Sequence, residues 1–202
     1  MKPPQQPSCQ TLSVISASSP DQDLFHHLVL EPPQWDWLSG QFVMLRPQTW
    51  TFDPFSSRPF SIADLNEEGL HIYYQVVGKA TRQMTALKAQ DPVTVWGPLG
   101  HGFDFDIETP TLLLAGGMGI IPFLGLIRSH PNPGNLELLF GHRHELKNYP
   151  YQEIAERILV WNLHDKSPKD LKKLHKAVQV KIEGYAGDGI ILACGPAPFL
   201  QL

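Results

Sequence analysis

One stretch in the second half of the chain constrains the fold more than any other. It reads Thr111-Leu-Leu-Leu-Ala-Gly-Gly-Met-Gly-Ile-Ile-Pro122 and continues as an apolar segment to Arg128. Its first five residues are an apolar run that is too short for a helix and ends at glycine, which predicts a buried parallel strand. Gly116, Gly117 and Gly119 then predict a turn in which the backbone can adopt positive φ and a ligand can approach closely.

Pro122 is predicted to occupy the first helical position after this turn, where its missing N–H costs nothing. A strand, a glycine turn and a helix start present unpaired N–H groups and a positive dipole end, which together suit a pyrophosphate. The alternative is an ordinary strand–turn–helix connection whose glycines serve packing. Glycine-rich turns by themselves do not separate these two interpretations.

The pattern beyond residue 106 alternates strands with helices, which predicts a parallel sheet with crossover helices. Ligands of such sheets bind at the carboxyl ends of the strands, where Gly116 and Cys194 both fall. The predicted strands are 111–115, 136–140, 158–161, 178–182 and 189–193, and the predicted helices are about 122–130, about 150–157 and a short one opened by Ser167-Pro168.

The first half of the chain contains short apolar or β-branched runs separated by turn residues at fairly regular intervals. This pattern predicts an all-β antiparallel Greek-key barrel over residues 1–106, followed by the α/β domain over 107–202. A single helix is expected at 81–88, with Thr81 as its N-cap. The predicted strands of the barrel are 8–18, 23–31, 42–46, 58–63, 70–77 and 93–96, and the pattern is broken at 97–105.

Composition excludes several classes of protein. Of 202 residues, 42% are hydrophobic and 18% charged, as in ordinary globular proteins, and the net charge of −4 offers no general attraction to nucleic acid. No apolar run is long enough to span a membrane, and the N-terminus lacks the core of a signal peptide, so a cytoplasmic protein is expected. The two cysteines, Cys9 and Cys194, are too few for a four-cysteine metal site. His101, His142 and His144 lack a completing ligand, so no metal site is predicted.

Three motifs follow one another in a fixed order across both halves: Arg58-Pro59-Phe60-Ser61, Gly116 to Pro122, and Cys194-Gly195-Pro196. This ordered set resembles the ferredoxin–NADP reductase superfamily, in which a flavin-binding barrel precedes a nicotinamide-nucleotide domain. The stretches at 77–81 and 97–103 are most similar to the electron-transfer (FAD/iron–sulfur) subunit of dihydroorotate dehydrogenase, an enzyme of pyrimidine biosynthesis. Reductase subunits of sulfur and hydrogen metabolism share much of the pattern.

The resemblance implies a flavoprotein that passes electrons between NAD(H) or NADP(H) and a catalytic dehydrogenase subunit through FAD, within a hetero-oligomer. It places the hydroxyl of Ser61 near the flavin ring and Cys194 near the nicotinamide–flavin contact, as the two catalytic positions. The residues implied to bind FAD are Arg58, Pro59, Phe60, Ser61, Tyr74, Gln75, Val76, Gly78, Lys79, Ala80 and Thr81. Those expected at the nucleotide are Gly116, Gly117, Gly119, Pro122, Arg143, Cys194, Gly195 and Pro196.

The identity of the nucleotide depends on the end of the second α/β strand, His142-Arg143-His144. Basic residues at this position favour the phosphate of NADP, whereas the dihydroorotate-type resemblance favours NAD. One exposed arginine supplies modest energy and histidine is mostly neutral at pH 7, so NAD is favoured.

Three features depart from the family pattern. Ala80 replaces the second glycine of the phosphate loop and fits only if its φ is negative. The segment after Trp161 lacks the glycine-rich acidic stretch that relatives place beside the nucleotide. Relatives also continue beyond the Cys-Gly-Pro motif into a four-cysteine segment that binds a two-iron cluster, whereas this sequence stops at Leu202, so a truncated second domain without cluster ligands is expected. A stand-alone reductase and a non-catalytic partner-binding module remain alternatives.

Overall fold

Two sheets of different kinds organise the chain. The computed structural model describes residues 6–19, 24–51, 53–185 and 187–201, except for the side chains of Pro168 and Leu171. The chain divides into two units, Met1–Phe103 and Asp104–Leu202.

The first unit contains seven strands and one short helix. The strands are β1 (Ser8–Ser18), β2 (Phe25–Leu30), β3 (Phe42–Pro47), β4 (Arg58–Ser61), β5 (Asp64–Asn66), β6 (Gly69–Gln75) and β7 (Pro92–Leu99), and the helix is α1 (Lys79–Met84). They form one antiparallel sheet in the order β4-β3-β7-β1-β2-β6-β5.

This sheet curls on itself around a hydrophobic core. The ring centroids of Phe60, in edge strand β4, and Tyr74, in β6 near the opposite edge, lie 6.0 Å apart. Alternate residues of the strands point inward, and Val14, Leu45 and Ile72 among them are fully buried. The predicted antiparallel β domain is therefore confirmed as a curled seven-stranded sheet.

The helix and one strand of this unit differ from the sequence-based expectation. Helix α1 begins at Lys79 with Gly78 as N-cap, so Thr81 is the third helical residue and the prediction that it is the N-cap was wrong. Strand β7 continues through Gly97 to Leu99 instead of ending at Trp96. Glycine fits there because a Cβ would lie 2.7 Å from a methyl carbon of Val43, and the backbone still pairs with Ser8 of β1.

The second unit contains a four-stranded parallel sheet flanked by helices. The strands are β8 (Thr111–Gly116), β9 (Leu136–His142), β10 (Leu159–His164) and β11 (Ile190–Cys194), and the helices are α2 (Ile121–Ser129), α3 (Tyr151–Ala155), α4 (Pro168–Tyr185) and α5 (Ala197–Leu200). The strand order is β10-β9-β8-β11 and every pair is parallel. This confirms the α/β prediction and gives one strand fewer than expected.

The predicted strand 178–182 was wrong, because these residues belong to the 18-residue helix α4. Their alternating apolar pattern resembles a strand, yet Ala177, Val178 and Tyr185 follow Leu174 by three, four and eleven residues, which places all four on one face of a helix. In the folded chain those four side chains pack on Leu112, Leu114 and Leu139 of the sheet. Tertiary packing thus selected the helical period.

Among the described residues, no helix has the length and apolar character needed to cross a membrane.

Candidate functional site

The glycine turn after β8 has one position with positive φ. Gly116 is extended (φ −111°, ψ 114°), and Gly117 has φ of +54° in a 3₁₀ turn that spans Gly117–Ile120. Positive φ is therefore needed at Gly117 and not at Gly116 or Gly119. Helix α2 begins at Ile121, so Pro122 is the second helical residue and not the first. Its missing N–H is still one of the first four, which have no partner within a helix.

The glycine turn and the Cys194 motif pack directly against each other. A Cβ on Gly119 would lie 2.1 Å from the carbonyl oxygen of Cys194, so any side chain would clash with backbone. Gly195 is also close to this turn, since its Cβ would lie 3.1 Å from the Cα of Gly116. A Cβ on Gly117, in contrast, would meet nothing within 4 Å. The two motifs predicted to bind the nucleotide are thus adjacent at the strand ends, with open space at Gly117.

An aromatic side chain that sequence reasoning missed covers this edge of the sheet. Cβ atoms placed on Gly116, Gly195 and Gly141 would lie 2.6, 2.8 and 3.2 Å from ring atoms of Phe199 in α5. Gly116 and Gly141 occupy matching register positions at the ends of β8 and β9. A glycine at the end of each of these strands was the available signal, because it leaves room for one large ring.

Cys194 is a free, half-buried thiol at the end of β11, opposite Ala115. Burial raises its pKa, so the thiol is protonated at neutral pH. This state favours a packing or positioning role over that of a nucleophile. Pro196, the N-cap of α5, is exposed.

The ends of β9 and β10 bring basic and acidic groups together. The rings of His142 and His164 stack with centroids 4.8 Å apart, and His142 Nδ1–H donates to the carbonyl oxygen of His144 at 2.8 Å. Burial lowers the pKa of His142 and keeps its ring neutral at pH 7. Arg143 Nε donates to Asp165 Oδ2 at 2.9 Å, and the Arg143 side chain is 72% exposed. The carboxylate therefore offsets the charge of this guanidinium.

In the first unit, Arg58 carries a positive charge without a carboxylate partner among the described residues. Its Nη1 donates to the Ser56 carbonyl oxygen at 3.0 Å, to Ser56 Oγ at 2.6 Å and to the Ser57 carbonyl oxygen at 3.2 Å. These acceptors are neutral, so they orient the half-buried guanidinium and leave its charge available to an anion.

The start of α1 fits the expected phosphate loop. Thr81 Oγ1 accepts the N–H groups of Val77 at 3.0 Å and Gly78 at 3.1 Å, which fixes the approach to the helix. The N–H groups of Lys79 and Ala80 are in the first turn, where a helix supplies no acceptor. Ala80 is buried and helical, so its φ is negative as the sequence required. A Cβ on Gly78 would meet nothing within 4 Å, so space is open beside the loop.

The remaining predicted flavin residues differ in exposure. Ser61 is half-buried at the end of β4 opposite Phe42, and Pro59 is exposed. Tyr74 is buried in the core, where its ring stacks on that of His26 with centroids 5.1 Å apart. Its contact with the Arg58–Ser61 motif is an edge contact with the ring of Phe60. The last predicted flavin residues of β6 and its continuation, Gln75 and Val76, are both half-buried.

The described residues do not bring together the ligands of an iron–sulfur cluster. Two-iron clusters need four ligands, and the sequence has two cysteines, which belong to different units: exposed Cys9 in β1 and half-buried Cys194 in β11. Across the described residues, no three His, Cys, Asp or Glu side chains are grouped to hold a metal ion.

Comparison with solved structures identifies the class of fold. A ferredoxin reductase of carbazole 1,9a-dioxygenase superposes with a TM-score of 0.77, with 98% of this chain and 62% of that chain covered at 20% identity. A ferredoxin NADP⁺ reductase from Neisseria gonorrhoeae with bound FAD and NADP gives 0.72, with 96% and 87% covered at 13% identity. The chain therefore has the two-domain fold of ferredoxin–NADP reductases.

Sequence relatives narrow the identification. The electron transfer subunit of dihydroorotate dehydrogenase B (NAD⁺) from Clostridium acetobutylicum is 31% identical over 165 residues, which cover 78% of this chain and 61% of that protein. The chain is a homologue of these electron transfer subunits, and the resemblance stated from its motifs is confirmed. It spans about 61% of the length of this relative. No protein family model matches the sequence.

Proposed function

We propose that this chain is the FAD- and nucleotide-binding part of an electron transfer subunit that passes electrons between NAD(P)H and a partner oxidoreductase. The partner class is the catalytic subunit of dihydroorotate dehydrogenase, as in the name of the Clostridium relative. The observation that carries the proposal is the contact of Gly119 with Cys194 beside the open position at Gly117. This contact joins both nucleotide motifs at the carboxyl ends of adjacent strands, where ligands of parallel sheets bind.

The first unit fits FAD. The uncompensated guanidinium of Arg58 suits a flavin phosphate, and the N–H groups of Lys79 and Ala80 suit the pyrophosphate beside the open position at Gly78. Ser61 offers a hydroxyl near the ring edge, and Phe60 supplies an aromatic ring held by Tyr74. When bound, the flavin supplies the exchange between two-electron and one-electron transfer, while the protein orients it and excludes competing reactions.

The second unit fits a dinucleotide. Gly117 provides the left-handed turn and the open space, and it begins the 3₁₀ turn Gly117–Ile120 that leads into α2. The Ile121 N–H already donates to the Met118 carbonyl oxygen, so the N–H groups proposed for the phosphates are those of the 3₁₀ turn. Cys194, Gly195 and Pro196 form the neighbouring wall at the end of β11. The neutral thiol of Cys194 can pack against a nicotinamide ring without a charge of its own.

NADH is the proposed electron donor. In the segment His142-Arg143-His144, arginine is the residue with a permanent charge. Its Nε lies 2.9 Å from Asp165 Oδ2, so the carboxylate offsets that charge. Burial keeps His142 neutral, so it adds no attraction for the extra phosphate of NADPH. The Asp165 carboxylate at this edge of the sheet also repels that phosphate, and it can accept a hydrogen bond from a ribose hydroxyl.

The purified chain provides the test. We expect a yellow protein with one FAD per chain, anaerobic bleaching by NADH, and electron transfer from NADH when a catalytic dihydroorotate dehydrogenase subunit is added. Dye reduction without transfer to that subunit would support a stand-alone reductase instead. Absence of flavin after reconstitution with FAD would contradict the proposal and favour the non-catalytic module.

A further inference from the structure

The segment between β3 and β4 contacts the guanidinium that the proposed function assigns to a flavin phosphate. Its last three residues are Phe55, Ser56 and Ser57, and Arg58 follows them at the start of β4. Arg58 Nη1 donates to the carbonyl oxygen of Ser56 at 3.0 Å and to its hydroxyl at 2.6 Å. It also donates to the carbonyl oxygen of Ser57 at 3.2 Å. This end of the segment therefore lies at the proposed phosphate contact.

The other end of the segment contacts helix α1. The ammonium group of Lys79 pairs with the Asp53 carboxylate, and Gln83 Nε2 donates to the Asp53 carbonyl oxygen at 3.2 Å. Lys79 begins the helix, and its N–H is one of the two proposed for the pyrophosphate. Asp53 and Ser56 are three residues apart, which is at most about 11 Å along the chain. A residue between them is therefore close to both phosphate-binding features.

Hydrogen bonds and burial fix the backbone of this segment. Arg46 Nε donates to the Phe55 carbonyl oxygen at 3.0 Å, and Arg46 Nη2 donates to the carbonyl oxygen of buried Trp50 at 2.6 Å. One guanidinium thus holds the chain at two points, and Pro54 between them is buried. A segment anchored in this way presents its exposed side chains from an ordered backbone.

Phe55 is the exposed aromatic side chain of this anchored segment. It is 76% exposed, compared with 49% for Trp96 of the same unit. Single exposed apolar residues are common, so exposure alone assigns no role. The position of Phe55 is more informative, because it follows buried Pro54 and precedes Ser56, which is bonded to Arg58. A flat ligand group that stacks on this ring would meet a side chain whose backbone is already ordered, which lowers the entropic cost of binding.

The direction of β4 indicates which ring of FAD lies near Phe55. From Arg58 the strand runs about 10 Å to Ser61, the hydroxyl proposed near the edge of the flavin ring. The flavin ring is therefore expected on the Ser61 side of the phosphates. Since the two phosphates of FAD link its flavin half to its adenosine half, the segment that precedes Arg58 lies on the adenosine side.

We propose that Phe55 stacks on the adenine ring of FAD, and that this contact makes the site select FAD over FMN. This inference rests on the proposed FAD site and adds the residue that recognises the adenosine half. FMN contains the flavin ring and one phosphate but no adenine, so it can use Arg58 and Ser61 but not Phe55. Removal of an aromatic ring that stacks on a base typically weakens binding by roughly tenfold to a hundredfold.

Calorimetric titration of the flavin-free chain with FAD and with FMN tests this contact. We expect the parent to prefer FAD, and Phe55→Ala to weaken FAD binding by roughly tenfold or more while FMN binding stays within about twofold. Phe55→Trp keeps an aromatic face and should retain FAD affinity, whereas Phe55→Leu keeps only an apolar side chain and should behave like Phe55→Ala. Ile15→Ala, which removes an exposed apolar side chain from β1, is the control and should bind both flavins as the parent does.

The outcomes separate this inference from the proposed function. A parent that binds both flavins equally, or a Phe55→Ala variant with unchanged FAD affinity, overturns the adenine contact and leaves the flavin site in place. The second of these results would point to a protein partner as the occupant. Equal loss of FAD and FMN affinity in Phe55→Ala also overturns the contact, because the segment would then act by positioning Arg58. A parent that binds neither flavin contradicts the proposed function itself, and this inference with it.

Discussion

Gly119 and Cys194 meet backbone to backbone: a methyl group on Gly119 would lie 2.1 Å from the carbonyl oxygen of Cys194. The two residues are 75 positions apart in the sequence, but the 3₁₀ turn after β8 places Gly119 against Cys194 at the end of β11. This contact holds the glycine turn against the Cys-Gly-Pro segment, and it explains two motifs of the second half as parts of one structure.

Gly119→Ala should therefore destabilise the protein. The new methyl group meets backbone that cannot rotate away, so we expect the free energy of unfolding to fall by about 1–3 kcal/mol. Urea denaturation measures it, and Gly184→Ala is the control, because Gly184 is helical with nothing within 4 Å of its Cβ. An unchanged midpoint for Gly119→Ala would show that the two segments are not packed this way.

Gly117→Val should impair the nucleotide site and leave the flavin in place. A β-branched residue at φ of +54° is strained by about 1–3 kcal/mol, and its side chain fills the open space proposed for the nucleotide. Stopped-flow reduction by NADH should slow markedly at unchanged FAD content, with Gly184→Val as the control. If the variant is reduced as fast as the parent, the turn is not the nucleotide site.

Arg58→Ala should weaken FAD binding by about one to two orders of magnitude, because a charge-assisted phosphate contact contributes roughly 1.5–3 kcal/mol. Fluorescence titration of the apoprotein with FAD measures the dissociation constant. Lys88→Ala, an exposed cation of the same unit, is the control and should leave it unchanged. Equal affinity of the Arg58 variant and the parent would remove this residue from the site.

Asp165→Asn should shift the nucleotide preference toward NADPH. The change removes a carboxylate that repels the extra phosphate and releases Arg143, so NADPH affinity should rise by up to about tenfold, or 1.4 kcal/mol. Reduction kinetics with both nucleotides measure it, with Asp188→Asn as the control. A parent that already prefers NADPH by more than about tenfold would reverse the assignment of NAD.

Alkylation should separate the two cysteines. At pH 8, iodoacetamide should modify exposed Cys9 before Cys194, since burial both shields the Cys194 thiol and raises its pKa. Because the pKa of Cys194 is higher in the folded chain than in the unfolded chain, the unfolded chain loses the thiol proton at lower pH. The free energy of unfolding should therefore fall as the pH rises above about 8.5. Peptide mass spectrometry gives the two rates, and equal rates at pH 8 would contradict this.

Local pattern predicted the glycine turn and the order of the motifs, but it did not show how they meet. Gly116, Gly117 and Gly119 look alike in the sequence, yet only Gly117 has positive φ, while Gly119 serves close packing and Gly116 makes room for Phe199. These roles depend on segments far away in the chain. No local rule could assign them.

The sequence by itself determined the fold class, because local patterns show it. The first half of the chain has short strands separated by turns, and the second half has strands that alternate with helices. It also contains the motifs at Arg58, Gly116 and Cys194 on which the proposed flavin and nucleotide sites depend. Only the tertiary structure decided that 178–182 is helical, since Leu174 and Val178 must cover the leucines of the sheet. It also decided that Asp165 offsets Arg143, because parallel pairing of β9 and β10 aligns their ends.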